Sequence, residues 1–126
     1  MKISDPVPGE SPLKADCPCR MVFDHLTSRW ALLVLIALSD GPLRFHALRD
    51  CVEGVSEKML SQSLKTLVRD GMVSRHVEPT VPPRVSYELT HIGQEVSEPL
   101  RAVFEWIGHR VEDIKAAQHR YDATGA

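Results

Sequence analysis

The chain predicts a mainly α fold, an α+β winged helix-turn-helix with a three-helix core and a two-stranded wing. Three observations predict it. Residues 55–73, VSEKMLSQSLKTLVRDGMV, carry the period of one helix with an apolar and a polar face. A shorter helical segment precedes it across the turn Glu53-Gly54-Val55. Two alternating runs, 72–77 and 84–89, follow around the turn-rich segment 79–83, the pattern of a hairpin.

The totals set the frame. A length of 126 residues fits one domain, and 43% hydrophobic residues can fill a core. The longest apolar stretch, Trp30 to Leu38, is too short to span a bilayer. The N-terminal segment MKISDPVPGESPLKAD has no apolar h-region, so a cytoplasmic protein is expected, with no membrane partner. Net charge is −2, but it is unevenly placed. Gly41 to Ser86 holds seven Lys/Arg against five Asp/Glu, and the rest holds eight against twelve. That polarity suits a nucleic-acid module with an acidic remainder.

Residues 1–16, with three prolines, read as a flexible arm. The domain then spans 17–115. Pro18 opens a first helix, with Met21, Val22 and Leu26 at apolar spacing. Ser28 is placed to cap a second, Arg29 to Ser39, which is apolar nearly all round and therefore central and buried. Leu43-Arg44-Phe45 has the look of a very short strand. A third helix, about His46 to Val52, points Leu48 inward and Arg49 outward. Ser56 caps the fourth, and Asp70-Gly71 ends it. At the hairpin tip Arg84 is expected, with His76 beside it. Thr90 caps the last helix, expected to run to about Ala117 with a bend or break at Pro99 and a frayed tail at 116–126.

The fourth helix carries the sharpest functional signal. Leu60, Leu64 and Leu67 share one side, flanked by Met59 and Val68. Lys58, Ser61, Gln62, Lys65 and Arg69 occupy the other. Hydroxyls, an amide and cations without a run of carboxylates are the groups that reach base edges and phosphates in a major groove. Gln62 suits adenine, the cations suit phosphate or guanine, and Arg84 suits a minor groove or phosphate. Ser56 combines a cap with a second, phosphate-contacting role. Double-stranded DNA is thus the expected partner.

Two further features ask for a function. In the last helix Val96, Leu100, Val103, Phe104, Ile107, Val111 and Ile114 form a heptad-like stripe longer than a three-helix core can cover. A homodimer is expected, through Leu100, Val103, Phe104, Ile107 and Val111, with Met21 and Leu26 of the first helix alongside. Cys17, Cys19 and Cys51 are too few for a disulfide framework. A helix N-terminus and Arg20 would favour a thiolate at Cys17 or Cys19. Cys51 falls among apolar positions and reads as core. It is also the only long-range disulfide partner for the pair. A Cys17–Cys19 bridge would be strained across Pro18, which favours intersubunit or mixed disulfides.

The order of residues resembles the HxlR-type winged helix-turn-helix regulators of bacteria. The resemblance rests on Cys17-Pro18, Ser28-Arg29-Trp30, Gly41-Pro42-Leu43-Arg44-Phe45, Val55-Ser56-Glu57-Lys58-Met59-Leu60, Asp70-Gly71-Met72-Val73, Val81 through Thr90, and Gly93. It covers about Cys17 to Lys115. It implies a dimeric DNA-binding transcriptional regulator with N-terminal and C-terminal dimerisation helices. It also implies that Cys17 answers a small oxidant or electrophile. His46, Ser28 and the extra Cys19 depart from the pattern, and Cys19 leaves open which thiol reacts. Competing readings are a ligand held in the dimer crevice, a winged helix used for protein docking, a zinc site on Cys17 and Cys19, and a thiol enzyme. No histidine has ligand spacing with the cysteines, and no catalytic constellation stands out. No cofactor, metal or catalytic residue is expected.

Overall fold

In the computed structural model, residue 11 and residues 13–125 are described. Most of the expected arm lies outside them. Within its end, the amide of Lys14 bonds to the Ser11 carbonyl and that of Cys17 to the Lys14 carbonyl, so turns lead into the first helix.

Five helices and three strands follow: α1 Pro18–Leu26, α2 Arg29–Leu38, β1 Leu43–Arg44, α3 Phe45–Cys51, α4 Glu57–Arg69, β2 Val73–Glu78, β3 Arg84–Leu89 and α5 His91–Thr124. The winged helix-turn-helix is as expected, with one addition. The sheet has three antiparallel strands in the order β1-β3-β2, so β1 extends the two-stranded wing. Leu43 pairs with Tyr87 and Arg44 with Ser86. Two residues are too few to show alternation, and their pairing is a tertiary event.

α2 is the centre. Ala31, Val34, Leu35 and Leu38 are buried and meet Leu48 and Val52 of the α3 segment, Leu60, Leu64 and Leu67 of α4, and Val73, Tyr87 and Leu89 of the sheet. Ser28 is the N-cap of α2, but its hydroxyl donates to the His25 carbonyl at 2.8 Å and leaves the helix amides uncapped. Leu26 is only 9% exposed and joins this core. It is therefore corrected from a dimer contact to a core residue: the short α1 must bury one side against α2 and α4, and Leu26 is on that side. Cys51 is corrected in the opposite sense. It is exposed, because Leu48 and Val52, four apart, take the inward face of that segment.

α5 departs most. It continues through Pro99 and to Thr124, where Gly125 closes it in the left-handed conformation. The tail expected to fray is helical. Pro99 is exposed, so the Glu95 carbonyl that loses its amide partner can be hydrated. The helix is about 50 Å long at ~1.5 Å per residue. Its start is fixed to the turn after α4. The Thr90 hydroxyl accepts from the Gly93 amide at 3.1 Å and donates to the Gly71 carbonyl at 2.6 Å. The Thr90 amide bonds to the Met72 carbonyl. Gly71, at φ +77°, makes that turn. Beyond Leu100 nearly every residue of α5 is exposed.

Candidate nucleic-acid interface

α4 is held at both ends. The Ser56 oxygen accepts the Met59 amide at 3.1 Å, which confirms the cap and leaves the hydroxyl proton free to donate. Arg49 of α3 pairs with Glu57 in the first turn of α4, across the helix-turn-helix. Glu57 also sits where the helix dipole favours an anion. At the other end, Nδ1 of His25 lies 2.7 Å from Oδ2 of Asp70, the C-cap residue. This bond ties α1 to the end of α4, and it engages the carboxylate of Asp70, the residue that follows Arg69.

The outer face then carries no anion. Lys58, Gln62, Lys65 and Arg69 are exposed, and Ser61 is half-buried at the border of the face. None of the three cations has a carboxylate partner among the described residues. Unpaired cations on one rigid face are costly to place near each other without an anionic partner, and they suit phosphates.

The hairpin register pairs Val73 with Leu89 and Glu78 with Arg84. Arg84 therefore lies at the tip end of the wing, exposed as expected. His76 does not; it faces Ser86 in mid-strand, and its Nε2 is 3.6 Å from Oε1 of Glu88. Two further arginines belong to this side of the molecule. Arg44 of β1 shares a shallow cleft with Arg84, Pro82 and Pro83. Arg75 lines a cleft between α4 and the sheet together with Lys65 and Arg69. Its signal was present in the sequence, since Arg75 interrupts the apolar phase Val73, Arg75, Val77 of an alternating strand.

The apolar stripe of α5 is uncovered: Val103, Phe104, Ile107 and Val111 are all exposed, Phe104 at 42%. Leu100 is partly buried against the core. Met21 is 51% exposed on α1. Phe23 and Trp106 are exposed as well, at 59% and 58%, and extend the same kind of surface; both fall outside the periodic positions that singled out the stripe.

Cys17 is the N-cap residue of α1 and is 7% exposed, whereas Cys19 is exposed. Arg20, expected to support a thiolate, instead donates to the Leu13 carbonyl at 3.2 Å. Among the described residues no group of three or more His, Cys, Asp or Glu is placed to hold a metal ion. Among the described residues no single helix is long and apolar enough to cross a membrane.

The comparisons with known proteins agree with this fold. The sequence model of the HxlR-like helix-turn-helix family matches residues 25–115. The HTH-type transcriptional regulator YtfH of Escherichia coli is 47% identical over 102 residues, covering 81% of each chain. The structure of the transcriptional regulator ytfH from Salmonella typhimurium superposes with a TM-score of 0.83 at 44% identity, covering 87% of this chain and 98% of that one. The redox regulator HypR in its oxidized form superposes with a TM-score of 0.68 at 30% identity, covering 74% and 96%. The chain belongs to the HxlR-like helix-turn-helix family of transcriptional regulators.

Proposed function

We propose that the chain is a cytoplasmic regulator that binds double-stranded DNA at an inverted-repeat operator as a homodimer. The observation that carries this reading is the α4 face, on which Lys58, Lys65 and Arg69 surround Gln62 with no carboxylate partner among the described residues. α4 enters the major groove. Gln62 and Ser61 meet base edges, Lys65 and Arg69 meet phosphates, and the Ser56 hydroxyl donates to a phosphate near the helix start. Arg84 reaches the flanking backbone or minor groove from the wing. The uncovered α5 stripe, with Met21 beside it, joins two copies, so that two α4 helices present themselves about one helical turn of DNA, or a multiple, apart. Footprinting the protein on the DNA upstream of its own gene and its neighbours tests this. Two symmetry-related protected patches are expected, and a single isolated patch contradicts the dimeric reading.

The regulator is switched through thiol chemistry at the start of α1. HypR, a relative in fold and sequence, is a redox regulator, and Cys17 lies at the N-cap where oxidation would disturb both the turn at 13–17 and the seat of α1. α1 is bonded to the end of α4 through His25 and Asp70, so a shift of α1 reaches the reading helix directly. The effector is a small oxidant or electrophile. DNA affinity measured with and without peroxide or a quinone is expected to change in wild type and in the Cys51→Ser protein. Cys17→Ser is expected to abolish the response. A Cys17→Ser protein that responds like wild type removes Cys17 from the role, and Cys19→Ser then shows whether the exposed neighbour holds it.

A further inference from the structure

The cleft between α4 and the sheet is more than a gap beside the reading helix. Its volume is about 420 Å³, within the range of small-molecule sites, roughly 300–1,000 Å³. Its lining has two chemistries. Leu64, Val68 and Tyr87 give it an apolar wall, and Lys65, Arg69 and Arg75 give it three cations. Those three have no hydrogen-bond or ion-pair partner among the described residues.

Arg75 is the telling residue. β2 and β3 pair Val73 with Leu89, Arg75 with Tyr87 and Val77 with Val85, so these six side chains lie on one face of the sheet. That is the face on which Val73, Tyr87 and Leu89 enter the core. Only Val73 of β2 is buried on this face; Arg75 and Val77 are exposed, so the face opens at Arg75 and its guanidinium borders the cleft. Tyr87 lines the cleft too; the residue is only 9% exposed, and its hydroxyl, which reaches the open cleft and has no protein hydrogen-bond partner among the described residues, can donate there.

We infer that this cleft is a binding site for a small amphipathic anion, an aromatic carboxylate being the simplest fit. The ring lies against Leu64, Val68 and Tyr87. The carboxylate accepts from Arg75 and from Lys65 or Arg69, and the Tyr87 hydroxyl supplies a further donor. A DNA phosphate would satisfy the cations but would leave the apolar wall facing water, which is why the observations favour a ligand with an apolar body. Because Lys65 and Arg69 belong to both sites, the ligand competes with DNA for them. The competition rests on the proposed DNA reading; the cleft does not.

The test is a titration of the full chain, without DNA, using 1-naphthoate, with naphthalene-1-methanol as the neutral counterpart and inorganic phosphate at matched ionic strength. Saturable naphthoate binding is expected, at least about tenfold tighter than that of the alcohol, as for loss of a charge-assisted hydrogen bond. Arg75→Gln should weaken it by about tenfold, and Tyr87→Phe, which keeps the ring and the core packing, by a smaller factor. The proposal is overturned by any of three results: naphthoate binds no better than the alcohol, phosphate displaces it as well as unlabelled naphthoate does, or both variants bind naphthoate like wild type. Adding DNA separates the two readings. A chain that binds naphthoate but no duplex keeps the cleft and loses the proposed function, whereas one that binds both is expected to release DNA as naphthoate saturates.

Discussion

A Phe104→Asp, Ile107→Asp double variant is expected to sediment as a folded monomer and to lose operator affinity by about 10²–10⁴-fold, the range that linked binding of two modules provides. Both residues are exposed on a helix that projects beyond the core, so the substitutions leave the core packing of the single chain intact. The stripe they interrupt also includes Val103 and Val111. Each large side chain fully buried there contributes about 1.5–3 kcal/mol to association, and two carboxylates facing their symmetry mates oppose it. Sedimentation velocity at micromolar concentration reads the first effect and a duplex titration the second. A wild-type protein that is itself monomeric at that concentration contradicts the dimer.

Gly93→Ala is expected to destabilise the fold more than any other small change near the interface. A Cβ at this position would lie 2.0 Å from the Met72 carbonyl oxygen and 3.0 Å from its carbon. Both are backbone atoms, so relief requires α5 to move off the turn that follows α4. The same carbonyl accepts the Thr90 amide, and Thr90 in turn holds Gly71. Forcing the two backbones together therefore strains the junction of α4, β2 and α5. A cost of about 1–3 kcal/mol or more is expected, and thermal unfolding reads it, at about 2–8 °C per kcal/mol, the span for domains smaller and larger than this one. An Ala variant that melts with wild type means the junction is looser than its packing indicates.

The parts of the fold that were legible in the sequence are those whose signal is periodic and local. α4 declares itself through Leu60, Leu64 and Leu67, the Ser56 cap and Gly71. The hairpin declares itself through alternation. Three features were hidden for physical reasons. The short strand at Leu43-Arg44 was expected, but that it joins the wing is recognisable only once Leu43 meets Tyr87 across the sheet. The end of α5 was hidden because its apolar stripe stops at Ile114, while the helix-favouring Ala, Gln and Arg residues beyond it carry no pattern that marks burial. The inward turn of Leu26 and the outward turn of Cys51 depend on which face of a short helix the core takes, and seven to nine residues offer more than one choice. On the interface itself, the reading face of α4 was visible from spacing alone. Arg75 showed there only as a break in the apolar phase of β2, since its meaning depends on the cleft that the sheet and α4 enclose, and the His25–Asp70 bond, which joins residues 45 apart in the chain, was not visible.

The placement of α4 in the groove is tested most directly by the salt dependence of DNA affinity for wild type, Lys65→Ala and Gln62→Ala, each on the footprinted operator and on a scrambled duplex. Lys65→Ala is expected to weaken both duplexes alike and to lower the slope of log affinity against log salt by about 1 for each phosphate no longer neutralised. Gln62→Ala is expected to leave that slope unchanged and to narrow the preference for the operator, by about 1–3 kcal/mol for each base pair that Gln62 reads. Wild-type affinity, slope and preference in both variants would mean that another surface of the protein holds the DNA.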